Sequence, residues 1–102
     1  MVRLAAVSEF RQDWLEELSE LLRIPSISAD PERQNDVQAA AEWVVAKLRA
    51  AGGDAELVDW PTSGGPRPLA IGELRASANA ESAPTVLCYG HFDVQPPAPL
   101  EL

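Results

Sequence analysis

Thr85-Val86-Leu87-Cys88-Tyr89-Gly90-His91-Phe92-Asp93-Val94-Gln95-Pro96 joins an apolar run to two chemically able side chains. The first five residues are β-branched, aromatic or otherwise apolar, the composition of a strand buried on both faces, and Gly90 then lets the backbone turn out of it. In backbone that stays extended, side chains two apart project to one side, so the imidazole of His91 and the carboxylate of Asp93 come close enough to share a proton. A metal-binding histidine normally gives its other ring N–H to such an acceptor, which fixes the tautomer and makes the coordinating nitrogen a better donor. His91 is therefore the candidate metal ligand and Asp93 its orienting acceptor. In open α/β sheets ligands bind beyond the carboxyl ends of the strands, which is where His91 would stand.

A bare His-x-Asp carries little information; the whole string carries more. Tyr89-Gly90-His91-Phe92-Asp93-Val94-Gln95-Pro96, preceded by an apolar strand, resembles the first metal-ligand motif of the di-zinc peptidase family of aminoacylases, glutamate carboxypeptidases and carnosinase-type dipeptidases. Arg23-Ile24-Pro25-Ser26-Ile27-Ser28 resembles the segment that follows the first helix in that family. Gln95 followed by Pro96 looks most like the dipeptidase branch. The resemblance covers roughly residues 11–102. It implies that His91 binds one zinc of a co-catalytic pair, that Asp93 is the catalytic-site residue orienting it, and that the substrate is a dipeptide or small peptide.

Composition narrows the alternatives. One domain fits in 102 residues, and 46% hydrophobic residues is globular rather than disordered usage. A formal net charge of −8 argues against nucleic acid and against an anionic membrane surface, because both are bound through Lys and Arg. Cys88 is the only cysteine, so there is no internal disulfide, zinc knuckle or Cys-x-x-Cys motif. Inside an apolar strand it reads as a small buried hydrophobe. The apolar run at residues 4–7 is too short for a signal peptide, no uncharged stretch reaches membrane-spanning length, and a reducing cytoplasm is the expected location.

Outward from the motif, two helices and two further strands are expected. Val7, Phe10, Trp14, Leu15, Leu18, Leu21 and Leu22 recur at three- and four-residue intervals, an amphipathic helix with Ser8 as N-cap, an apolar face read as core, and Pro25 as its stop. A second helix is expected over residues 35–51, with Asn35 as N-cap, Gln38 completing a capping box, and Val37, Ala40, Ala41, Val44, Leu48 and Ala51 as its apolar face. Trp43 and Val45 lie off that face, and Gly52-Gly53 supplies the left-handed stop. Residues 55–60 and 69–74 read as strands joined by a hairpin loop at 62–68, and 75–84 as a loop into the third strand. The loop's two glycines match neither order of a phosphate cradle. The expected fold is thus α/β: two N-terminal helices followed by three strands, a single partial domain over 1–102 forming an incomplete portion of a larger zinc-peptidase catalytic domain.

The resemblance implies further ligands that this sequence does not contain: a bridging carboxylate, a terminal carboxylate, a second histidine and a general-base glutamate, all later in such chains. One imidazole cannot hold zinc, since structural sites use four protein ligands and catalytic sites typically three. The expectation is an N-terminal fragment of a zinc-dependent dipeptidase, inactive by itself, with oligomerisation left open. The alternative is a complete, non-catalytic α/β module that binds a partner protein through an exposed strand edge.

Overall fold

The structure is a computed structural model, which describes residues 11–65 and 67–99. Helix α1 spans Gln12–Leu22. A 3-10 turn, Pro31–Arg33, leads directly into helix α2, Gln34–Ala50. Strands β1, Asp54–Trp60, and β2, Arg67–Glu73, follow as an antiparallel hairpin in which Asp54 faces Glu73, Leu57 faces Ala70 and Trp60 faces Arg67.

Helix α2 is the keel of the molecule. Val37, Ala40, Ala41 and Val45, spaced three, one and four apart on one face, are its buried residues, and this face packs on both strands of the hairpin. The two alanines are fully covered, so their small side chains let the helix come close to the sheet. Gly52 has φ +91°, and the Gly52 and Gly53 amides donate to the Arg49 and Leu48 carbonyls at 2.9 and 3.0 Å. This is the expected glycine stop, closed as a Schellman pair that satisfies two of the helix's last carbonyls. On the sheet side Gly72 gives room to Leu48, whose Cδ1 lies 2.8 Å from where a Cβ would stand.

Three expectations are corrected here. The sheet has two strands, not three: residues 85–89 have no regular structure and pair with nothing among the described residues, and Val86, Leu87 and Tyr89 are 79, 92 and 92% exposed. Their composition suits a strand, but a strand also needs a neighbour's N–H and C=O groups, and nothing in the described chain comes alongside. Cys88 is accordingly exposed, not buried. Helix α1 buries no residue; Trp14, Leu15, Leu18 and Leu22 remain 40 to 61% exposed, so the stripe read as core covers none. The helix is tied to α2 by polar groups instead: Trp43 Nε1–H donates to Glu20 at 3.4 Å, and Lys47 lies 3.5 and 3.7 Å from Glu17 and Glu20. The proposed N-cap Ser8, and Val7 and Phe10 of the stripe, lie outside the described residues.

The start of α2 differs too. Asn35 lies inside the helix, and the capping side chain is Asp30, which accepts from the Glu32 amide at 2.9 Å at the head of the 3-10 turn. Pro31 follows at a first-turn position, where its missing N–H costs nothing. Val45, placed off the apolar face, is buried on the hairpin; Val44 and Leu48 are half-buried and Ala51 is exposed.

Candidate functional site

Residues 24–28 leave α1 at the turn that Pro25 enforces and run beside residues 92–94, where Ile27 and Val94 form an isolated parallel bridge. The Val94 amide donates to the Ser26 carbonyl at 3.0 Å, and the Ser26 hydroxyl donates to the Phe92 carbonyl at 3.0 Å. Ser26 is 1% exposed, so this bond satisfies a polar group that would be costly to bury alone. The motif is thus held from its flank, by the connector.

Asp93 stands between the two strings. Its Oδ1 lies 2.9 Å from His91 Nδ1, and its Oδ2 accepts from the Ser28 hydroxyl at 2.6 Å. Its backbone carbonyl lies 3.1 Å from the same His91 nitrogen. Donation by Ser28 is the largest cause holding the Asp93 carboxyl below the usual range; partial burial opposes it and the His91 hydrogen bond adds to it. An ionised carboxylate and a carbonyl can only accept, so His91 Nδ1 carries the hydrogen. In the neutral ring Nε2 is then the nitrogen with the free lone pair, and among the described residues no hydrogen bond engages it. The His91 side chain is 74% exposed and that of Asp93 is 35% exposed.

His91 and Asp93, named from the sequence, therefore do meet. Ser26 and Ser28, read there only as parts of a connector, are the residues that sequence reasoning missed. Ser28 lies in a turn and its partner is 65 positions away, so no local sequence spacing marked it. Farther along the same connector the Gln34 amide donates to the Asp30 carbonyl at 2.9 Å, and the Arg67 guanidinium donates to Gln34 Oε1, which ties the base of α2 to the start of β2.

The donor set at His91 fits one ligand position of a metal centre and no more. Among the described residues no three His, Cys, Asp or Glu side chains gather into a group that could hold a metal ion. Among them, too, no helix is long and apolar enough to cross a membrane.

No protein-family profile and no solved structure matches the chain. Curated proteins similar to it include two metallodipeptidases. The Cys-Gly metallodipeptidase DUG1 of Candida albicans is 30% identical over 99 residues, covering 88% of this chain and 20% of that protein. The Cys-Gly metallodipeptidase dug1 of Schizosaccharomyces pombe is 33% identical over 93 residues, with the same shares covered. The chain therefore spans about one fifth of the length of the curated relatives it matches, and over most of its own length it is linked in sequence to the dipeptidases.

Proposed function

We propose that this chain serves as the part of a zinc-dependent dipeptidase that supplies one metal ligand, His91, and the carboxylate that orients it, Asp93. The observation that carries this reading is the use of the two ring nitrogens: Nδ1 is committed to Asp93 at 2.9 Å, while on a side chain 74% exposed Nε2 meets no hydrogen-bond partner among the described residues. A histidine so held presents its lone pair in one direction and in one tautomer. Asp93 also stabilises the positive charge that the imidazole gains when it donates its lone pair. The similarity to metallodipeptidases supports a dipeptide or small-peptide substrate, and Gln95-Pro96 supports the dipeptidase branch. The lone Cys88 supports a reducing, cytoplasmic setting.

Zinc, when bound, polarises the scissile carbonyl and lowers the pKa of water. His91 contributes one of the three or four protein ligands such an ion needs, so the 102-residue chain alone neither retains zinc nor hydrolyses dipeptides. The test is a chimera in which this chain replaces the matched fifth of the C. albicans enzyme. Zinc-dependent hydrolysis of Cys-Gly is expected in the chimera, a loss of about 10–100-fold with Asp93→Asn, and background activity with His91→Ala. A chimera whose activity survives His91→Ala would refute the assignment.

A further inference from the structure

We propose that Ser28 is a positioning residue for the His91–Asp93 pair, and that residues 24–28 act as a clamp setting the direction of His91 Nε2. The inference rests on the reading of His91 as a metal ligand and adds to it the group that aims that ligand. Each carboxylate oxygen of Asp93 has a single side-chain donor: Ser28 on Oδ2 at 2.6 Å and His91 on Oδ1 at 2.9 Å. Rotation of the carboxylate breaks both bonds, so the plane that His91 meets is fixed by a residue 65 positions away in the chain. The backbone on either side is fixed as well, by the Ser26 hydroxyl at the Phe92 carbonyl and the Ser26 carbonyl at the Val94 amide. Without Ser28, a carboxylate with about a third of its surface in water exchanges that donor for mobile solvent and can turn away from the imidazole.

The test reads the His91 tautomer directly, by long-range ¹⁵N–¹H correlation of the imidazole in the labelled 102-residue chain, above the pH at which the ring is protonated. Wild type is expected to hold predominantly the Nδ1–H form. Ser28→Ala should move the ring toward the mixed population of an unrestrained imidazole, by less than Asp93→Asn does, and Ser28→Thr, which keeps the hydroxyl, should restore the wild-type form. A merely structural role for Ser28 would disturb the amide signals of β1 and β2 and leave the tautomer alone. Should Ser28→Ala lose the hairpin signals, Ser28→Cys is read instead, because a thiol keeps the shape and is a weak donor. Partial loss of the Nδ1–H form then supports the clamp, and no change overturns it. If Asp93→Asn shifts the tautomer and neither Ser28 variant does, the role of Ser28 is wrong while the reading of His91 stands. If no variant shifts it, both fail.

Discussion

The hydroxyl of Ser28 and the ring of His91 favour the charged form of Asp93, and the direction of the shift fixes how the site responds to acid. Its folded-state pKa is depressed, so the contribution it makes is present above the unfolded value of about 3.9 and is lost as pH falls through the lower folded value. The Asp93 contribution to the tie between residues 24–28 and 92–94 should therefore be complete at neutral pH and fall away below the ordinary carboxylate range, weakening a tie that the two Ser26 bonds also hold. Protection of the Val94 amide, which donates to Ser26, followed against pH checks this. Ser28→Ala should move the midpoint up toward the ordinary carboxylate range, and an unmoved midpoint would deny the hydroxyl its effect. The His91–Asp93 contact was legible in the sequence because it depends only on a two-residue spacing in extended backbone. Ser28 was not, because its partner lies 65 residues away and only the folded connector brings them together.

Helix α2 agreed with its sequence signals along the Val37–Ala40–Ala41 face and at its glycine stop, though not at its N-terminus. Gly52→Ala forces a side chain into the left-handed region at φ +91° and should cost about 1–2 kcal/mol, measured by denaturant unfolding. Ala40→Leu inserts three carbons where the helix meets the hairpin with no exposed surface, and overpacking of that kind costs about 1–3 kcal/mol. Trp14→Ala, by contrast, should cost well under the roughly 3–5 kcal/mol of truncating a core aromatic, since Trp14 is 41% exposed and no described residue of its helix is buried. From the sequence alone Trp14 ranked with Val37 and Ala40 as core. A helical period shows which face is apolar and not whether anything covers it; α2 has the hairpin, and α1 meets α2 through Trp43, Lys47, Glu17 and Glu20. Residues 85–89 failed as a strand for the same reason, an apolar pattern with no neighbouring strand among the described residues.

At the scale of the whole molecule the Cα radius of gyration is 16.9 Å, well above the roughly 13 Å of a compact 100-residue domain. The buried apolar residues among those described are four on one helix, and Val86, Leu87 and Tyr89 stand in solvent. An apolar, unpaired segment of this kind is a template for pairing with another chain. The chain at high concentration should self-associate, and sedimentation velocity should show less association in Leu87→Lys and Tyr89→Lys. A monomer at all concentrations with a cooperative unfolding transition would contradict this. The charge of −8 was readable from composition, but it opposes association only over the screening distance of the buffer and leaves the local apolar segment exposed.

The assignment of His91 as a metal ligand is the claim on which the functional reading depends, and zinc titration of the 102-residue chain, followed at the ring nitrogens of His91 and at all backbone amides, tests it most directly. The account predicts weak, fast-exchanging zinc that perturbs His91 Nε2 and its near neighbours, does not survive dialysis, weakens in Asp93→Asn and vanishes in His91→Ala. Stoichiometric zinc that survives dialysis in His91→Ala, or zinc-induced shifts that leave His91 untouched, would contradict it.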